Sequence, residues 1–362
     1  MLKRLSSRER VLAACAHYEP DRVPCWLGAS PEWKALACQY LGLSNDEDLL
    51  IYLGDDFRRV YARYVGPDHA HPTKNLTHPE ATYRTPFGVE RYGYGYGMPL
   101  TTPLRHATTV AEIDAYPWPD PEWMDPSQVR ADALQYGRQY AILGGDWSPF
   151  WHDAIDLLDF DGLIFLMHDH PEAAEALFRH CADYYLGVSR RIFEASGDAI
   201  DIFFIGNDLG AQTGPLVNPR MFRRFILPQL QRFVDLGHEF GKLVMLHCDG
   251  AIRHFLPDLI DIGLDGVQSV QPYCTGMALP GLKRDFGSQL TFMGCIDSQA
   301  LIEGTQEAAR QLTLDTLKVM MPGGGFIASP SHDYLLPETP VENVIVMYET
   351  IKECGWYGKE NK

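Results

Sequence analysis

The sequence predicts an α/β chain closed into a (β/α)8 TIM barrel, with an N-terminal helical extension and a β-hairpin insertion. Three observations predict it. Eight short apolar runs begin near residues 23, 57, 140, 201, 242, 264, 290 and 324, and stretches of helical period separate most of them. That alternation implies a parallel sheet, and eight strand–helix units in one domain imply closure. No GxGxxG or Walker-type phosphate loop follows an early strand, which weakens the competing arrangement, a doubly wound open sheet. Several runs also stop on Asp, His, Cys or Asn, the pattern expected where strand ends converge on a barrel mouth.

Taken in order, Ser6 or Ser7 can cap a helix over 8–17, and the prolines of 20–24 break it and open a strand at 23–27. Residues 31–41 and 46–52 read as helices, and 57–65 as a strand. From 66 to about 123 the chain is rich in Pro, Gly, Thr and Tyr. Within it 83–92 (YRTPFGVERY) has strand–turn–strand character, and a Tyr-Gly repeat follows at 92–97. This suits a hairpin inserted near the mouth, or a plain β edge. A regular pattern then sets in: helix 128–136, strand 140–145 ending at Asp146, and a long amphipathic helix 171–196 stopped by Gly197. Strand 201–206 ends at Asn207 and Asp208. Asn218 and Pro219 supply the N-cap and first residue of a helix to about Phe240, kinked at Pro228. Strand 242–246, helix 252–262, strand 264–270, helix 279–286, strand 290–294, helix 305–321, strand 326–329 and helix 341–354 complete the series. The expectation is a single barrel domain over 1–362, with 66–123 as its insertion.

Bulk properties narrow the function. Hydrophobic residues are 46% and charged residues 22% of the 362, an ordinary balance for a globular enzyme. A formal charge of -17 argues against nucleic acid as partner, because phosphate binding requires a positive surface. No apolar run is long enough to span a membrane and no signal-peptide pattern opens the chain, so a cytoplasmic protein is expected. The eight cysteines occur singly with no CxxC pair, which suits a reducing compartment rather than a disulfide framework.

The candidate chemistry lies at the strand ends. The run 243–250 (LVMLHCDG) delivers His247, Cys248 and Asp249, 292–297 (FMGCID) delivers Cys295 and Asp297, and 326–333 (FIASPSHD) delivers His332. On a straight strand His247 and Asp249 face one side and Cys248 the other; if the strand ends at Leu246, Cys248 can turn inward. His247, Asp249 and His332 form a ligand set suited to zinc or another divalent first-row metal, with Cys248 or Cys295 as alternates. Asn207, Gln268, Trp147 and Tyr94 are placed as substrate contacts, Asp208 and His247 as catalytic groups, and Asp146 as an acid–base group.

These residues, in this order, resemble the uroporphyrinogen decarboxylase superfamily. SRERVLAA at 7–14 followed by EPDRVP at 19–24 is similar to the opening of its corrinoid-dependent methyltransferase branch. TPFGV at 85–89, DLG at 208–210, LHCDGAI at 246–252 and PETPVEN at 337–343 are further landmarks. The resemblance implies a (β/α)8 barrel. It also implies a zinc site built from His-x-Cys on one strand and a late Cys; here Asp249 stands for the first Cys and His332 for the second. Methyl transfer between a corrinoid (cobalamin or a corrinoid protein) and a small donor or acceptor is the implied activity. The superfamily's decarboxylases hold a polycarboxylate tetrapyrrole with N-terminal arginines, and 24–30 (PCWLGAS) has none, although Asp55 or Asp56 and His332 stand near positions those enzymes use. A metal-free decarboxylase and a non-catalytic corrinoid or tetrapyrrole carrier are the alternative readings.

Overall fold

The structure, a computed structural model, describes residues 4–68, 82–93 and 97–358. Seven parallel strands follow one another around a curved sheet: β1 (Phe57–Arg59), β2 (Ala141–Gly144), β3 (Ile202–Gly206), β4 (Leu243–His247), β5 (Gly266–Val270), β6 (Thr291–Ile296) and β7 (Phe326–Pro330). Each begins within a few residues of an expected strand. The eighth position belongs to 23–27, which bridges the two sheet edges without forming a regular strand. Ala328 N–H donates to Pro24 O (2.9 Å) and Trp26 N–H to Ala328 O (3.1 Å), while Asp56 N–H donates to Cys25 O (2.9 Å) on the other side. Pro24 has no N–H, so this stave cannot carry a continuous ladder.

Side chains alternating inward from the strands fill the lower barrel: Phe57, Leu143, Ile202, Phe204, Met245, Met293 and Ile327 form one buried cluster. The shell between sheet and helices is a second, larger core, and the helix Pro171–Ser196 crosses it over the expected span. Two helices absent from the sequence reading, Phe150–Leu158 and Phe160–Asp169, follow β2. Most of the first is buried, and its polar face of His152, Asp153 and Asp156 is turned into the protein rather than to open solvent. The expected kink at Pro228 is a π turn over Phe222–Ile226, which widens the helix just before the residue lacking a donor.

The expected strand at 57–65 divides. Its first three residues join the barrel, and Arg63–Tyr64 pairs antiparallel with Met124–Asp125. The inserted segment contains an antiparallel ribbon, Thr82–Arg84, Glu90–Tyr92 and Met98–Pro99. Tyr94, expected to contact substrate, lies outside the described residues. Among the described residues no helix is long and apolar enough to cross a membrane.

Candidate metal centre at the barrel mouth

Strand parity builds the site. β3 and β4 pair in register as Ile202 with Leu243, Phe204 with Met245 and Gly206 with His247. Continuing the inward series one step past each strand gives Asp208 and Asp249. One ligand atom from each of Asp208, His247 and Asp249 lies within 4.8 Å of the others, a group that could hold a metal ion. Two glycines bring the carboxylates together. Gly250 has φ +87°, and a Cβ there would collide with the backbone of Gly210; a Cβ at Gly210 would stand 2.6 Å from Ala251 N. The loops carrying Asp208 and Asp249 therefore touch backbone to backbone. Asp249 N–H donates to Asp208 Oδ1 at 2.9 Å.

Hydrogen bonds set the polarity of the centre. His247 Nδ1 lies 2.5 Å from Gln268 Oε1, an oxygen that only accepts, so Nδ1 carries the proton. Its Nε2 lone pair then faces Asp208 Oδ1 at 3.2 Å and Asp249 Oδ2 at 4.0 Å. A lone pair on a buried ring facing two half-buried carboxylates favours a cation between them or a second proton on the ring. Without a metal the ring takes the proton. Burial pulls the imidazole down, but Asp333, Asp208 and Asp249 together outweigh it and push its pKa up to about 10. Burial also raises Asp208, and the neighbouring imidazoles of His247 and His152 more than reverse this, holding the carboxyl well below the usual range.

Further groups support the carboxylates. His152, on the helix after β2, accepts Asp208 N–H at 3.1 Å and stands 3.4 Å from Asp208 Oδ2. Gln271 Nε2 donates to Asp249 Oδ1 at 2.9 Å, and Gln271 Oε1 accepts Gly250 N–H. His332 Nδ1 accepts Tyr334 N–H at 3.0 Å, so its proton sits on Nε2, 3.2 Å from Asp249 Oδ2. His332 thus supports Asp249 and stands outside the triad.

The two thiols offered as alternate ligands are not brought to the centre. β4 runs through His247, so Cys248 faces away; its buried sulfur accepts Leu209 N–H at 3.2 Å, and burial pushes the thiol well above its ordinary pKa. In β6 the positive φ values of Gly294 (114°) and Cys295 (74°) break the alternation, and Cys295 is buried in the shell between sheet and helices. Asn207 and Gln268, read as substrate contacts, point to protein instead. Asn207 Oδ1 accepts Trp151 N–H (2.9 Å) and its Nδ2 donates to Ser148 O (3.1 Å). Asp146 turns its carboxylate to Ser148 N–H at 3.1 Å.

Trp147 does line the mouth. Its indole packs over Gly206, where a Cβ would collide with it, and its ring centroid is 5.0 Å from that of His247. Above the triad opens a cavity of about 550 Å³. Among the described residues, Asp153, Asp156, Asp208, Asp249 and Asp333 line it against a single arginine, Arg91, already paired with Asp156. Burial pushes Asp153 up to about 6, against the pull of Tyr185, which donates to it at 2.5 Å. Sequence reading missed His152, Asp153 and Asp333, which come from a helix and a loop rather than from a strand end.

Comparison with curated proteins returns no match. Among solved structures, a methyltransferase from Methanosarcina mazei shares the fold, with a TM-score of 0.65 at 18% identity over 96% of this chain and 99% of that one. The profile for uroporphyrinogen decarboxylase (URO-D) matches residues 92–354, a span that includes the whole triad. By that match the chain belongs to the uroporphyrinogen decarboxylase family.

Proposed function

We propose that this protein transfers a methyl group between a small donor or acceptor and a corrinoid, free or carried by a partner protein, with a divalent first-row metal such as zinc held by Asp208, His247 and Asp249. The observation that carries the reading is His247 Nε2 turned toward two carboxylates at the floor of an aromatic-walled cavity. The donor set fits a metal: one nitrogen whose tautomer Gln268 holds, and two carboxylates tied down by His152, Gln271 and His332. A metal bound there supplies Lewis acidity, lowering an acceptor's pKa or polarising a leaving group. The chain's own part is positional. Trp147 walls the reacting end of the cavity. Asp153, hydrogen-bonded by Tyr185, is the cavity-facing carboxyl able to hold a proton near neutral pH, a role for which Asp146 is turned away.

The decarboxylase alternative draws on family membership, and the site's charge opposes its usual kind of substrate. Among the described residues of this cavity, five carboxylates and one already paired arginine do not compensate a polycarboxylate tetrapyrrole. Metal analysis of freshly purified protein tests the reading. Near-stoichiometric divalent metal in the parent, lost in His247→Ala and Asp249→Ala, is expected; trace metal indifferent to both substitutions would overturn it. Visible absorbance of methylcobalamin then reports turnover. Demethylation with at least one thiol or phenol acceptor is expected, and an unchanged spectrum across such a panel supports the carrier reading instead.

A further inference from the structure

Arg59 closes β1 on the same inward face as Phe57, yet it forms no ion pair among the described residues, and its Nε, shielded from solvent, has no hydrogen-bond partner. Three rings hold it: its Cζ lies 5.1 Å from the ring centroids of Tyr61, Trp147 and Phe204. Such contacts fix a guanidinium without neutralising it. Arg59 lines a second cavity of about 710 Å³ that meets the first at Trp147, Asp333 and Tyr334.

The other charges around this cavity are matched. Lys34 pairs with Asp46, Arg58 with Glu47, and Asp55 accepts the N–H groups of Leu27 (2.6 Å) and Phe57 (2.7 Å). Asp146 senses the charge of Arg59 but spends its carboxylate on Ser148 N–H. Asp333 stands 4.0 Å from both His247 and His332. The guanidinium is therefore a cation left to an incoming anion. Because Arg59 Cζ and the His247 ring each lie about 5 Å from the Trp147 ring, no more than about 10 Å separates them.

We propose that Arg59 binds the carboxylate of an aromatic monocarboxylate, whose ring lies against Trp147 and Tyr61 and whose far end reaches the triad. A planar guanidinium fork matches a planar carboxylate. The aromatic walls select a ring, and the acidic neighbourhood opposes a second negative charge. This inference names a substrate class beyond the methyl-transfer reading, and it holds whether or not a metal binds.

Calorimetric titration with benzoate, benzamide and inorganic phosphate tests it, on the parent protein before and after chelation and on Arg59→Met and Arg59→Lys, with folding checked by circular dichroism. Saturable benzoate binding with quenching of tryptophan fluorescence is expected, with benzamide and phosphate at least tenfold weaker. Arg59→Met is expected to weaken benzoate at least tenfold. Should that variant misfold, Arg59→Lys, which keeps the charge but not the fork, is expected to weaken it several-fold. The proposal is overturned by no saturable benzoate binding, by benzamide or phosphate binding as tightly as benzoate, by undiminished affinity in a folded Arg59 variant, or by binding that disappears on chelation. Benzoate binding that persists in protein unable to hold metal leaves this inference standing while the metal-assisted reading falls.

Discussion

At the scale of single residues, His247 decides how the site responds to pH. In the metal-free protein its imidazole keeps a second proton up to a pKa of about 10, because burial is outweighed by Asp333, Asp208 and Asp249. A metal can take Nε2 only after that proton leaves. Binding at pH 7 to 8 is therefore expected to release close to one proton. Apparent metal affinity is expected to rise about tenfold per pH unit as the ring is more easily emptied, and to level off near pH 10. Calorimetry in buffers of different ionisation enthalpy measures the proton count; zero release would mean that His247 is already neutral or does not ligate. The spacing of His247 and Asp249 was readable in the sequence, because alternation along a strand is local. The tautomer was not, since it depends on Gln268 from the neighbouring strand.

At the scale of elements, the centre depends on two strand ends being held at one depth. β3 and β4 are in register through Gly206 and His247, and the next turn of each chain is a glycine contact. Gly250→Ala adds a side chain at a left-handed φ and drives it into Gly210. The expected result is a loss of about 1–3 kcal/mol in stability, together with weaker metal binding as Asp208 and Asp249 separate. Urea unfolding and metal titration check it, and unchanged metal affinity would show that the loops tolerate separation. The same scale explains the misplaced sulfurs. Cys248 obeys the alternation and turns away, while Cys295 follows a glycine at φ 114° that breaks it. The first outcome follows from spacing; the second needs a backbone conformation that spacing does not encode.

At the scale of the whole molecule, closure rests on the irregular stave at 23–27. Asp56, fully buried, accepts Cys25 N–H (2.8 Å) and pairs with Arg10 (2.7 Å) and Arg22 (3.0 Å), joining the N-terminal helix, the first stave and β1. Removing one member of a buried charge network strands the others. Asp56→Ala is expected to cost about 3–5 kcal/mol in urea unfolding at neutral pH. A loss below about 1 kcal/mol would mean that Arg10 and Arg22 repartner, through Asp21 in the case of Arg10, and that closure does not depend on Asp56.

The order of the strands and of most helices, the inward row ending in His247 and Asp249, and the exclusion of phosphate-loop and membrane-spanning architectures were contained in the sequence. Hydrophobic periodicity and residue parity are properties of neighbouring residues, and a single chain displays them directly. Tertiary structure decided which polar strand ends face the mouth. It turned Asn207 inward to the backbone, put Gln268 behind His247, and made His332 a support for Asp249. It brought in His152, Asp333 and Arg59, whose roles arise from contacts between segments far apart in the chain. Loops have no period to read, and a polar helix face does not say whether it meets solvent or a cavity, so these side chains acquire direction only once the barrel closes around them.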